Sequence, residues 1–256
     1  MSQSDVLAPT GAPTAPDVPA ESTDGQSTPL RNGILSALPD GELRRLLPEL
    51  TTVSLDSGQV IYEPDEPIDH VYFPVDAVIS VISVLSDGST VEVATVGNEG
   101  MAGVAAFLGA TSAPHRSLSQ VPGTAARLPA AVLRDVAHRN GALADRLRRY
   151  TQALLNQIAQ TAACNRMHSI EARCARWLLM MHDRAQVDHF QLTQRFLAQM
   201  LGVRRATVTV AAGRFQQAGL IRYRRGKITV LDRAGLEGVT CECYAVVRRQ
   251  YERLLG

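Results

Sequence analysis

The spacing of apolar positions changes character several times along the chain. Over residues 34–50, Leu35, Leu38, Leu43, Leu46, Leu47 and Leu50 recur at helical intervals and predict short helices, with Asp40 able to cap the second. From Thr51 to about Leu128 the runs VSL, QVIYE, HVYFPV, AVISVISVL, TVEVATV and TAARL are short, β-branched and alternating. The breaks DSG, EPDEP, SDGS and VGNEG separate them, which predicts an antiparallel barrel or double-sheet roll. Asp87-Gly88 lies between two strand patterns and reads as a hairpin turn.

Helical spacing then returns. Leu143, Leu147, Tyr150, Leu154, Ile158 and Thr161 form a narrow stripe on a helix expected over 142–165, about 35 Å long. A narrow stripe suits a coiled-coil seam, so these six residues are expected to form a parallel dimer seam. Packing on the chain's own barrel is the other use of such a face, and the two can coexist on opposite sides. His168-Ser169 breaks the pattern, and Ser169 can cap a further helix with Ile170, Cys174, Trp177, Leu178 and Met181 on its apolar face. A last amphipathic helix is expected over 236–255.

The stretch Leu192–Val230, LTQRFLAQMLGVRRATVTVAAGRFQQAGLIRYRRGKITV, reads as helix, tight turn, second helix and basic hairpin. Ala198 allows close approach of two helices, Gly202 allows the positive φ of the turn, and Val208 packs the second helix on the first. The second helix then presents Arg204, Arg205 and Thr209 at its N-terminal end, the end that reaches base edges in a major groove. These three are the expected base contacts. Arg214, Arg222, Arg224, Arg225 and Lys227 are the expected phosphate contacts, supplying affinity rather than sequence choice. Gly213 lies inside the second helix, where it permits close approach either of DNA or of the hairpin.

Charge separates along the chain in the same sense. The formal total is +1. Residues 191–235 hold nine basic side chains and one acid, whereas residues 1–130 hold five basic and sixteen acidic ones. Only the back half is therefore suited to a polyanion, and double-stranded DNA is the expected partner. Residues 1–30, rich in Pro, Ser, Thr and Ala, predict a disordered tail and carry no signal-peptide pattern. With no apolar run of membrane-spanning length, a cytoplasmic protein without a membrane partner is expected. The four cysteines, Cys164, Cys174, Cys241 and Cys243, are expected to be reduced thiols.

In this order, SGQVIYEPDEPIDHVYFPVDAVISV, Asp87-Gly88 and VGNEGMAGV, followed by the helix-turn-helix and its wing RYRRGKITV, the chain resembles the Crp/Fnr family of bacterial transcription regulators over about residues 34–235. The resemblance implies an α+β fold: an antiparallel β-roll (double-stranded β-helix) sensor over 31–130, a dimerisation helix region over 131–167 and a winged helix-turn-helix over 168–256. It implies a homodimeric, sequence-specific DNA-binding regulator, an effector in the roll and contact with RNA polymerase. It matches Arg205 to a base-reading arginine, while Ala206 and Val210 replace two of the family's other reading residues.

The effector pocket implied by the resemblance involves Gly103, Val104, Arg116, Ser117 and Ile158. The family's cyclic-nucleotide cassette has a Gly-Glu pair, but Val104 follows Gly103 here, and Arg116-Ser117 comes after a longer loop. Ile158 and Ala159 offer a purine no side-chain hydrogen bond. Loss of the partner for a ribose hydroxyl costs about 1–3 kcal/mol, so cyclic AMP is expected to bind weakly or not at all. Asp65 stands where the family usually has glycine, and aspartate tolerates the left-handed geometry of that turn. The iron–sulfur cluster of the oxygen-sensing branch uses cysteines near the N-terminus, and no cysteine precedes Cys164. No cofactor is expected and the effector stays unidentified. Two alternatives stand beside an effector-modulated regulator: an effector-independent one whose roll serves dimerisation or polymerase contact, and a thiol- or metal-dependent redox-sensing one built on Cys164, His168, Cys241 and Cys243. An enzyme of the cupin type is not expected, since the roll holds only His70 and His115 as histidines.

Overall fold

The computed structural model describes residues 31–256; the tail expected over 1–30 lies outside the described residues. Asn32 is fully buried and pins the start of this region. Its amide donates to the carbonyls of Pro74 and Gly100 at 2.8 and 2.9 Å, and its Oδ1 accepts from the Ile34 N–H. Helix α1, Asp40–Leu46, is followed by a 3-10 turn, Leu47–Glu49. Asp40 does not cap it: Pro39 holds the N-cap position, and Asp40 sits in the first turn, where its charge complements the helix dipole.

The strands are β1 (Thr51–Leu55), β2 (Val60–Tyr62), β3 (His70–Pro74), β4 (Val78–Val84), β5 (Thr90–Val96), β6 (Arg116–Val121) and β7 (Gly123–Pro129). They form two antiparallel sheets, β1-β7-β3 and β2-β6-β4-β5. Alternation puts Phe73, Ile79, Val96 and Leu128 into the core of this double-sheet roll. The Asp87 carboxylate accepts from the Ser89 N–H at 2.9 Å and Gly88 has φ 80°, closing the β4–β5 hairpin as expected. Asp65 adopts φ 66°, and its N–H donates to the Ala113 carbonyl, so the turn survives without glycine. A short helix α2, Val104–Phe107, separates β5 from β6.

Helix α3, Ala130–His138, leads to α4, Ala142–Met167, whose 26 residues span about 39 Å. The start of α4 is capped from a distance. The Glu42 carboxylate of α1 accepts from the N–H groups of Ala142 and Leu143 at 2.9 and 3.1 Å. Gly141 makes room for it, since a Cβ there would stand 2.6 Å from Glu42 Oε1.

The stripe expected to pair two subunits is used differently. Leu143, Leu147, Tyr150 and Leu154 are buried in the roll's own core, with Ile158 packed against it, and Thr161 is buried farther along the same face. The apolar stripe thus closes the subunit on itself, covered by the roll. Exposed on another face of α4, about a third of a turn round the helix, are Arg148, Gln152, Leu155, Ala159, Ala162 and Arg166.

Beyond α4 come α5 (Ile170–Ala185), β8 (His189–Gln191), α6 (Gln194–Leu201), α7 (Arg205–Gln217), β9 (Ile221–Arg224), β10 (Lys227–Val230), α8 (Arg233–Val239) and α9 (Cys243–Leu255). Ser169 caps α5, its hydroxyl accepting from the Ala172 N–H at 3.3 Å. β8, β10 and β9 form a small antiparallel sheet. The single last helix expected over 236–255 is two helices, broken at Thr240–Glu242. The break turns α9 back along α4, where Tyr251 and Leu255 pack on the roll core and Arg146 donates to the Leu255 carbonyl at 2.7 Å. A second core combines α5–α8 with Val78, Ile82 and Val121 of the roll.

Candidate nucleic-acid interface

The reading head is built from local rules. Thr193 caps α6 by accepting from the Phe196 N–H at 3.1 Å. Gly202 ends α6 at φ 63° and ψ 40°, the left-handed cap that a helix-turn-helix turn requires. A Cβ at Gly202 would also meet Val91 Cγ2 of β5 at 3.2 Å, so the turn lies directly on the roll. Ala198 and Val208 are buried in the contact between α6 and α7. The C-terminal carbonyl of Leu201 accepts from the Arg173 guanidinium, whose Nε donates to Asn165 Oδ1 at 3.1 Å. Arg173 therefore ties the end of α4 to the turn of the reading head.

Arg204 is the N-cap residue of α7 and Arg205 its first residue. Both are exposed, as are Ala206, Thr209 and Val210 farther along the helix. The Thr209 hydroxyl donates to Gln194 Oε1 at 2.7 Å, which brings the first residue of α6 onto the same surface. Gln194 was not singled out from the sequence; its signal was a polar first residue directly after a capping threonine. A Cβ at Gly213 would meet nothing within 4 Å, so close approach of the hairpin is not its reason.

The hairpin β9–β10 turns at Arg225 and Gly226, both at positive φ. Arg222, Arg224, Arg225 and Lys227 are exposed. Arg214 is exposed too, but its guanidinium is paired with Glu171 of α5, which neutralises part of its attraction for phosphate.

The head is locked to the roll by buried polar groups. Glu92 of β5 accepts from the Ser80 hydroxyl and, at 2.8 Å, from the indole N–H of Trp177 in α5. Burial pushes its carboxyl up to about 7, although those hydrogen bonds and the nearby Arg176 and Arg184 favour the charged form. Arg184 of α5 pairs with Glu99 at 2.8 Å and donates to Gln157 of α4 at 3.1 Å. Burial works against the Arg184 charge, but Glu99 prevails and holds its pKa above the usual value. Gln157 also accepts from the Tyr251 hydroxyl of α9 and donates to the Thr95 carbonyl of β5. One network thus links four elements.

The residues of the implied effector pocket are engaged within the chain. Arg116 pairs with Glu63 at 2.8 Å. Gly103 takes φ 91° ahead of α2, with Val104 as the first residue of that helix. A Cβ on Gly103 would stand 2.6 Å from the Tyr62 hydroxyl, so Tyr62 fills the adjacent space. Ser117 is buried in β6 and Ile158 packs on the roll core.

Cys174 is buried in the apolar core, and burial holds its thiol up at about 12. The other three cysteines form a separate cluster, where burial likewise pushes Cys164 up to about 12 and raises Cys243. Thiols raised in this way, Cys164, Cys174 and Cys243, are poor nucleophiles, which disfavours a thiolate redox sensor.

Two family models match the chain: a cyclic nucleotide-binding domain over residues 52–140 and a Crp-like helix-turn-helix domain over residues 172–239. Solved structures share the fold. A putative Crp/Fnr-family transcriptional regulator from Eubacterium rectale has a TM-score of 0.63 at 16% identity, covering 80% of this chain and 96% of that one. FixK2 from Bradyrhizobium japonicum has a TM-score of 0.61 at 19% identity, with coverage of 75% and 98%. A CRP-family transcriptional regulator from Thermus thermophilus has a TM-score of 0.60 at 18% identity, with coverage of 73% and 95%. No curated relative matches the sequence.

Proposed function

We propose that the chain is a DNA-binding transcription regulator of the Crp/Fnr type and that it acts as a homodimer reading a two-fold-symmetric site with the N-terminal turns of two α7 helices. The observation that carries this reading is the exposed basic surface of Arg204, Arg205, Arg222, Arg224, Arg225 and Lys227 around α7 and the wing. Arg204, Arg205 and Thr209 contact base edges, arginine forking onto guanine O6 and N7. The wing cations, helped by Arg214, grip phosphates.

The dimer seam of this reading is the outer face of α4. Arg148, Gln152, Leu155, Ala159, Ala162 and Arg166 alternate at four- and three-residue intervals, the coiled-coil rhythm. Leu155 is 56% exposed at the centre of that stripe, which supports its use as a contact between copies. The protein works beside the chromosome in the cytoplasm, with RNA polymerase as its second partner. No helix among the described residues is long and apolar enough to cross a membrane.

A second reading concerns the roll. The Arg116–Glu63 pair and the placement of Tyr62 favour a roll that binds no cyclic nucleotide and serves as the scaffold for the reading head. Selection of genomic fragments by the purified, ligand-free protein tests both readings. Enrichment of a two-fold-symmetric motif supports a competent dimer without effector. A folded dimer that enriches nothing, with or without cell extract, would refute the DNA-reading assignment.

A further inference from the structure

Four side chains from two segments, the end of α4 and the entry to α9, converge where the reading head leaves and rejoins the rest of the chain. Cys164 lies in the last turn of α4, His168 is the C-cap residue of that helix, Cys241 sits in the break before α9, and Cys243 begins α9. One ligand atom from each lies within 4.8 Å of all the others. The Cys164 and Cys241 sulfurs are 3.5 Å apart, and Cys243 Sγ is 3.5 Å from His168 Nδ1. A tetrahedral ion with zinc–sulfur bonds of about 2.3 Å places its ligand atoms about 3.8 Å apart, in keeping with these separations. We propose that Cys164, His168, Cys241 and Cys243 hold one zinc-class divalent ion as a Cys3His site.

The surroundings are those of a ligand set rather than of packed apolar cysteines. His168 Nε2 lies 3.2 Å from Glu242 Oε1, so the carboxylate holds the proton on Nε2 and leaves the Nδ1 lone pair facing the thiols. Gln160 donates its amide N–H to Cys243 Sγ at 3.0 Å, a bond that strengthens when the sulfur is anionic. Arg176 is 5% exposed and its Nε has no hydrogen-bond partner. Its terminal nitrogens reach only the Thr161 hydroxyl, at 3.3 and 3.4 Å, and its charge acts on Cys164. Three thiolates, a neutral imidazole and a dication carry one net negative charge, which this guanidinium balances. Loading is a simple exchange: the ion binds, three thiol protons leave, and no electron moves. The soft donor set selects zinc over magnesium or calcium.

Metal analysis of the full-length protein, purified without chelator and reconstituted with zinc under reducing conditions, tests the site. About one zinc ion per chain is expected, and cobalt in its place should show tetrahedral ligand-field bands with thiolate charge transfer. C174S, whose thiol lies apart in the apolar core, should keep its metal in full. C164S should lose most of it. E242Q retains every ligand and should bind zinc about 10–100-fold more weakly in competition with a chromophoric chelator. The E242Q comparison and the cobalt spectrum of the unaltered protein decide the question even if C164S fails to fold. The proposal is overturned by protein that takes up no zinc, by iron with acid-labile sulfide in its place, by a Cys164–Cys241 disulfide, or by cobalt bound without thiolate bands.

Discussion

Trp177 of α5 donates its indole N–H to the buried carboxylate of Glu92 on β5 at 2.8 Å, in a contact where the reading head and the roll share one core. The bond aligns the first helix of the head with the sheet beneath it. It also places a titratable group at the joint, so the joint answers to pH.

Glu92 should make the fold less stable as pH rises through neutrality. Its carboxyl is raised by burial from 4.5 to about 7, so the folded chain retains a proton that the unfolded chain has lost. The stabilising contribution is full below the ordinary carboxylate value and is lost as pH passes about 7. The shift corresponds to about 3 kcal/mol in order of magnitude. Urea midpoints measured between acid and neutral pH should fall more steeply for the unaltered protein than for E92Q. Parallel curves would remove Glu92 from the account.

Replacement of Arg205 by alanine should cost about 1–3 kcal/mol on the specific site and relax one base position. Replacement of Lys227 should instead weaken binding to all sequences alike and reduce the salt slope by about one unit. Footprints and titrations at several salt concentrations separate these effects; equal behaviour of the two variants would contradict the division into base and phosphate contacts.

The two faces of α4 should respond differently to substitution. L155E alters an exposed position on the outer face and should give a folded monomer. L147A removes a fully buried side chain from the roll core and should destabilise each subunit by about 2–5 kcal/mol. Light scattering with denaturant unfolding checks both. A fully dimeric L155E would move the seam elsewhere.

Calorimetry with cyclic AMP should show no saturable heat below about 1 mM, because Glu63 already neutralises Arg116. A micromolar dissociation constant would show that the pair opens on ligand binding.

The parts of this molecule that rest on neighbouring residues were legible in the sequence. Gly202 could only be a left-handed cap between two helical patterns, and Asp87-Gly88 could only close a hairpin. The use of the Leu143–Thr161 stripe was not legible. An apolar face records that it is buried and does not record what covers it; here the cover is the roll. The split of the last helix had a weak signal in Gly238 and the β-branched Thr240. The Glu99–Arg184–Gln157–Tyr251 network had none, since its members come from four distant segments and each is an ordinary surface type. Of the candidate site, the placement of Arg204, Arg205 and the wing cations on exposed positions of α7 and the hairpin was readable, whereas the partners of Arg116 and Arg214 became visible only in three dimensions.

The return of α9 to α4 changes what kind of moving part the reading head is. A terminal domain hanging from one linker can swing like a pendulum. Here the chain leaves the long helix at Met167, builds the head, and docks on the same helix again through α9. The head is thus held by two handles, and any displacement must satisfy both. The core it shares with the roll is a third restraint, so the head is braced on three sides rather than hung from one.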